Sequence, residues 1–139
     1  MKLHGFLFSF VSFVAIVLAG PHFLQASGSV DSIGVLHISF EEVGIGNKDV
    51  TYLLSATGTI KYQCHILARP ITISLPVSVS TPFVRNENGH ITGTITGPAP
   101  PKPIPPITCL DGIAGAVYTG ITLRDTTNSV TKIIPDVTV

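Results

Sequence analysis

The chain has 139 residues, with eight basic and eight acidic side chains, and only 12% of its residues are charged. This length suits one domain, and the sequence shows no basic patch, so we expect nucleic acid or anionic lipid to find little to bind. Because charge is scarce, Ser, Thr, Gly and Pro must cover much of the surface, which would tolerate dense packing against copies of the same chain.

The N-terminus has the pattern of an export signal. Lys2 precedes an apolar run over 6–19, and Gly20-Pro21 follows that run. The run is short for a membrane span and has the length of the apolar region of a signal peptide. We therefore predict a cleaved signal, and an uncleaved membrane anchor is the alternative.

The predicted cleavage point is the bond after Ala26 or the bond after Gly28, since small residues precede both. The first choice gives a signal peptide over 1–26 and a secreted domain over 27–139. That domain contains no second long apolar segment, so we expect no membrane span in the mature form and place it outside the cell or at the cell surface.

Export brings the two cysteines into an oxidising compartment, where disulfides form. We predict a bond between Cys64 and Cys109, which closes a loop of about 46 residues and contributes roughly 4 kcal/mol in the chain-entropy model. Two buried thiols or a metal-binding pair are the alternatives.

Alternation of apolar and polar residues predicts β-strands, the first over 33–41 and the second over 50–66. A turn over 44–49 separates them, and Gly58 indicates a bulge or bend in the second. The residues expected to face inward are Leu36, Ile38, Phe40, Tyr52, Leu54, Ala56, Ile60, Tyr62, Cys64 and Ile66, whereas His37 and Ser39 face outward.

The clearest strand follows, over 71–80, with Ile and Val facing inward and Thr and Ser facing outward. Pro76 cannot donate a ladder hydrogen bond, so we predict that this strand lies at a sheet edge or is bulged. Asn88-Gly89 favours a hairpin turn into a return strand over 90–96. Six prolines within 98–106 predict an extended polyproline connector.

The last third predicts a short strand at 107–109, a turn at Asp111-Gly112, and strands over 115–124 and 129–134 before the tail over 137–139. In the strand over 115–124, we expect one face to carry Val117, Thr119, Ile121 and Leu123 and the other Tyr118 and Thr122.

About seven strands without a helix indicate an all-β fold, a two-layer sandwich that is immunoglobulin-like in architecture. The chain has no Trp, so the Cys–Trp–Cys core of true immunoglobulin domains is missing.

Several short motifs also carry a resemblance. They are Tyr62-Gln63-Cys64, Asn88-Gly89-His90-Ile91-Thr92-Gly93, the proline-rich stretch, Cys109-Leu110-Asp111-Gly112 and the segment over 118–127. Through them the region over 58–135 resembles small exported bacterial and archaeal β-proteins of unknown function. The resemblance implies export and a β-fold, and it implies no activity.

Residues with catalytic or metal-binding chemistry are dispersed. His37, His65 and His90 lie on polar strand faces or in a turn, where we predict surface histidines; a catalytic base or a convergent metal site is the alternative. Glu41-Glu42 with Asn47 and Asp49 form either a solvated turn or a calcium site. No hydrolase elbow, zinc motif or phosphate loop occurs, so we predict no catalytic residue, no metal and no cofactor.

These features favour a secreted or cell-surface, non-enzymatic β-sandwich with a structural or interaction role. The first alternative is a self-assembling filament or surface-layer subunit, whose ends over 29–40 or 129–139 would add to a neighbour's sheet edge. The second is a glycan- or lipid-binding module, for which the mature domain offers few aromatic residues. An enzyme is the third.

Overall fold

A computed structural model describes residues 20–64, 71–84, 89–103 and 113–139. All regular structure in these ranges is β, arranged in two sheets, which confirms the predicted all-β, two-sheet fold. The strands are β1 (His22–Val30), β2 (Leu36–Val43), β3 (Val50–Tyr62), β4 (Ile71–Phe83), β5 (His90–Thr96), β6 (Gly115–Asp125), β7 (Val130–Ile134) and β8 (Val137–Thr138).

Sheet I has the strand order β1-β2-β5 and sheet II the order β4-β3-β6-β7, with β8 also pairing with β6. Every neighbouring pair is antiparallel. Alternate residues of both sheets share one apolar core, because the period of a strand sends every second side chain to the same face. Its fully buried members include Leu36, Ile38, Phe40, Tyr52, Leu54, Ile60, Ile95, Tyr118, Ile121, Leu123 and Ile134.

Strand β1 is the longest element that the sequence patterns missed, and the two-residue strand β8 was predicted only as a tail. Strand β1 pairs with β2 from His22 to Val30, and Phe23 and Ala26 pack against the core. The predicted cleavage points after Ala26 and after Gly28 both fall inside this strand. Its alternation is weak, with Gln25, Ser27 and Ser29 interleaved among small residues, so the segment resembles the polar end of a signal peptide.

The predicted faces of the strand over 115–124 were wrong in its first half. Tyr118 is fully buried and Thr119 is exposed. Between the pairs Ser55–Thr122 and Thr57–Thr119, β6 has one more residue than β3, which defines a β-bulge. Gly120, which lies in this bulge, adopts the left-handed backbone conformation with a φ of +60°. The extra residue reverses the inward and outward positions, so Tyr118 and Ile121 both face the core.

Gly58 does not break β3, which is continuous, but allows a close approach instead. The Tyr118 ring lies over it, and a Cβ at Gly58 would be 2.6 Å from Tyr118 Cε1. The ring is held in place, because the Tyr118 hydroxyl donates to the Gly34 carbonyl oxygen at 2.6 Å.

We therefore expect Gly58→Ala to destabilise the domain by about 1–3 kcal/mol, the usual cost of overpacking. The measurement is the urea midpoint at unchanged slope. Gly115→Ala in β6 is the matched control, because its Cβ would meet only the Val139 carbonyl oxygen, at 3.4 Å. Equal midpoints for the Gly58 variant and the wild type would contradict this account.

Several other sequence predictions can be compared with the structure. β4 is an edge strand, as Pro76 indicated. Residues 98–103 form no regular structure, and Gly89 takes a positive φ of 66°. The predicted strand at 107–109, the Asp111-Gly112 turn and Cys109 lie outside the described residues, so the disulfide remains a prediction. The position of Cys64, which is 1% exposed at the core, is compatible with it.

Candidate functional site

The ionisable side chains of sheet I are divided between its two faces. On the outer face, alternate residues of β1, β2 and β5 present hydroxyls and two histidine–carboxylate pairs. We call this surface the His face and define it by Ser27, Ser29, Asp31, His37, Ser39, Glu41, His90, Thr92, Thr94 and Thr96. On the inner face, one carboxyl group reaches across the core to sheet II.

The first pair joins Asp31 to His37 at the end of sheet I. Asp31 Oδ2 is 2.8 Å from His37 Nε2, and His37 Nδ1 is 3.2 Å from Thr96 Oγ1. Asp31 Oδ1 also accepts hydrogen bonds from the backbone N–H groups of Ile33 and Val35, which fixes the turn between β1 and β2. Hydrogen bonding to His37 and then to Val35 lowers the pKa of Asp31, so this group is a carboxylate.

The second pair joins Glu41 to His90 at the opposite end of the same face. Glu41 Oε2 is 2.5 Å from His90 Nε2, and the same nitrogen is 3.3 Å from Thr92 Oγ1. His37 lies opposite Thr96 and His90 lies opposite Val43. The two imidazoles are therefore six ladder positions apart, about 20 Å at the rise of a strand, and do not converge.

At the first pair, a carboxylate and a threonine hydroxyl contact opposite nitrogens of the His37 imidazole, as in a nucleophilic triad. At the second, Glu41 and Thr92 contact the same nitrogen of His90, which is not the arrangement of a triad. Acyl transfer additionally needs hydrogen-bond donors around the reacting oxygen and a concave site that holds the substrate. Both groups here lie on the outer surface of a sheet, with side chains about one-quarter to one-third exposed. The two groups therefore offer partly exposed hydrogen-bonding side chains at the surface of the sheet.

The inner face of sheet I carries Glu42, which is fully buried, as are Tyr52 and Asp125 in sheet II. The Tyr52 hydroxyl donates to Glu42 Oε1 at 2.7 Å. Asp125 accepts from the Asn128 backbone N–H at 2.9 Å and from Asn128 Nδ2 at 2.7 Å. The three side chains form the polar bridge, a link between the two sheets through the apolar core.

Burial raises the pKa of Glu42 to about 7; the hydrogen bond from the Tyr52 hydroxyl opposes this rise, whereas hydrogen bonding and charge repulsion from Asp125 add to it. Glu42 Oε2 is buried without a hydrogen-bond donor. Protonation of Glu42 lets this buried group form a second hydrogen bond, because a protonated carboxyl can donate to an oxygen of Asp125. Burial and the adjacent Glu42 raise the pKa of Tyr52, which therefore stays a donor.

The structure separates the acidic residues that the sequence grouped. Glu41 and Glu42 point to opposite faces of β2, and Asn47 and Asp49 are exposed in the following turn. In the ranges that the structure describes, no three His, Cys, Asp or Glu side chains are grouped to hold a metal. His65 lies outside those ranges. Sequence reasoning did not single out Asp31 or Asp125, although each precedes a turn, where Asp commonly binds the backbone.

Comparison with protein-family models found no matching family, and comparisons with curated proteins and with solved structures found no match. Within residues 20–64, 71–84, 89–103 and 113–139, no helix is long and apolar enough to cross a membrane.

Proposed function

We propose that the chain is a secreted or cell-surface, non-enzymatic β-sandwich with an interaction role, and that the His face is its binding surface. The observation that carries the proposal is that both histidine–carboxylate pairs lie on this one face. Asp31, Glu41 and their histidine partners lie on one face, among hydroxyl groups, in a chain that is only 12% charged. Hydroxyls and ion pairs supply donors and acceptors for a polar partner.

The strand order supports assignment to the immunoglobulin-like sandwiches. With the first seven strands lettered A to G in chain order, the sheets are ABE and DCFG. The constant-type immunoglobulin arrangement is ABED with CFG, so the two differ in the sheet to which the fourth strand belongs. Many cell-surface interaction domains use this architecture, although fold alone does not define function.

The position of β1 leads us to propose a different cleavage point for the export signal. Cleavage between Ala19 and Gly20 leaves β1 whole and places a small residue before the bond. Cleavage after Ala26 would remove Phe23, whose ring centroid lies 6.3 Å from that of Phe40. The predicted Cys64–Cys109 bond belongs to the same proposal, since it requires an oxidising compartment.

Intact mass spectrometry of the full chain expressed in a secreting host tests export, cleavage and the cross-link together. We expect the exported protein to begin at Gly20, with thiol labelling only after reduction. Protein retained in the cytoplasm would contradict export. An N-terminus at Ser27 or Ser29 would contradict the cleavage point, and thiols that react without reductant would contradict the disulfide.

A hydrolase screen with ester, peptide and glycoside substrates separates a binding surface from a catalytic one. We expect no turnover from the wild type, and no difference between the wild type and the His37→Gln and Thr96→Val variants. Turnover that both substitutions abolish would assign the Asp31–His37–Thr96 group to catalysis and overturn the non-enzymatic role.

A further inference from the structure

The two sheets differ in how their edges are closed. An edge strand exposes backbone N–H and C=O groups that can pair with another chain, and proteins block such edges with proline, short strands or covering side chains. Both edges of sheet II carry a block of that kind and β1 packs against sheet II, whereas the described residues place no such feature on β5.

The β4 edge of sheet II is blocked by proline. In an antiparallel ladder, alternate residues direct both backbone groups toward the neighbouring strand or away from it. Pro76 and Pro82 are separated by an even number of positions, so both occupy outward-directed positions of β4, as does Ser78. The other edge of sheet II is short and is interrupted by Pro135 between β7 and β8.

The β1 edge of sheet I packs against sheet II on its inner side. The Asp31 N–H donates to the Val35 carbonyl oxygen, so after the bulge near Leu24 the backbone groups of odd-numbered residues point toward β2 and those of Gly28 point outward. Gly28 packs against β7 and β8, since a Cβ placed on it would lie 2.9 Å from Val137 Cγ2 and 3.8 Å from Ile134 Cγ2.

The β5 edge has neither block. The Gly97 N–H donates to the Leu36 carbonyl oxygen at 2.8 Å. Because the pattern alternates, the backbone N–H and C=O groups of Gly93 and Ile95 also point toward β2. The backbone groups of Thr92, Thr94 and Thr96 are therefore directed away from β2, and all three residues are exposed. In the part of the chain that the structure describes, no strand pairs with this side of β5.

We propose that the β5 edge binds the β5 edge of a second copy of this chain, which joins the two three-stranded sheets into one sheet across a two-fold axis. This inference goes beyond the proposed function and does not depend on export. Two copies of this edge can meet without charge repulsion, because β5 carries no carboxylate or ammonium group between His90 and Thr96. Threonine pairs across strands are favourable.

An axis through Thr94 gives the register with the best fit of side chains. Thr94 then lies opposite Thr94 of the second copy, and Thr92 lies opposite Thr96. On the inner face, Gly93 lies opposite Ile95 and Ile91 lies opposite Gly97, so each isoleucine meets a glycine. The two His faces become one continuous surface.

Thr94→Pro tests the proposal, because Pro removes an outward N–H that β2 does not use. Ser78→Pro on the blocked β4 edge is the matched control. In sedimentation velocity over a wide concentration range, we expect dimerisation of the wild type and of the Ser78 variant, and monomers of the Thr94 variant. Circular dichroism checks that both variants keep the fold.

Thr94→Cys gives a second readout that does not depend on proline being tolerated. Hydrogen-bonded antiparallel partners have Cα atoms about 5.5 Å apart, within the range that a disulfide spans. We expect covalent dimers of the Thr94→Cys variant under mild oxidation and none of Ser78→Cys. A wild type that stays monomeric at every concentration, or a dimer that Thr94→Pro leaves intact, would overturn the proposal. Dimers of the wild type without the Thr94→Cys cross-link would overturn the register.

Discussion

Replacing Glu42 by glutamine is expected to remove a pH dependence of stability that the wild type shows between about pH 4.5 and pH 7. A shift from the ordinary value of 4.5 to about 7 corresponds to about 3 kcal/mol of unfolding free energy. Glutamine keeps the acceptor for the Tyr52 hydroxyl and a donor for Asp125, but it cannot ionise. The variant therefore resembles the protonated form of the wild type at every pH.

The direction in which stability changes with pH follows from proton binding to the native and unfolded states. Between pH 4.5 and 7 the native state retains the Glu42 proton that the unfolded chain has released, so the native state binds more protons. The stability contributed by Glu42 is complete below about pH 4.5, falls as pH rises, and is lost above about pH 7. Asp31 acts in the opposite direction and at lower pH, because its pKa is lowered in the native state.

Urea unfolding at a series of pH values measures the effect. We expect Glu42→Gln to match the wild type near pH 4.5 and to exceed it by about 3 kcal/mol above pH 7. Asp136→Asn, which removes a carboxylate from an exposed position, is the control and should keep the wild-type slope. If the two variants show the same slope, Glu42 is not the group that retains the proton.

Phe40→Ala is expected to cost about 3–5 kcal/mol, the range for truncating a buried phenylalanine. Phe40 is 1% exposed, and its ring centroid lies 4.5 Å from that of Tyr52 and 5.4 Å from that of Phe83. It lies opposite Gly93, where a larger side chain would clash with Phe83. No side chain on β5 is therefore placed to fill the cavity that the truncation leaves.

Thermal unfolding by circular dichroism should show a fall in Tm of about 10–20 °C for this variant, given the entropy of unfolding of a domain of this size. Ile33→Ala is the control, because Ile33 is 57% exposed and its truncation should change stability by less than about 0.5 kcal/mol. A Tm for Phe40→Ala within a few degrees of the wild type would show that the packing of Phe40 against Tyr52 and Phe83 does not hold the two sheets together.

Most of the strands could be predicted because their alternation is strong. Residues 71–79 place Ile, Leu or Val at every second position, and Pro76 predicted that β4 lies at an edge or is bulged. β1 could not be recognised in the same way, since its small and polar residues follow the apolar run over 6–19, which has the pattern of an export signal. The faces of β6 were mispredicted because a bulge adds one residue, and that residue depends on the register with β3.

The sequence by itself determined the β-class, the inward faces of β2 to β4 and the outward direction of His37, because these depend only on the period of a strand. Only the tertiary structure decided that Glu42 would be buried beside Asp125, that Asp31 would bind His37, and that no described strand would pair with the outer side of β5. These outcomes depend on which strands become neighbours, and pairing between residues far apart in the chain leaves no local periodic pattern.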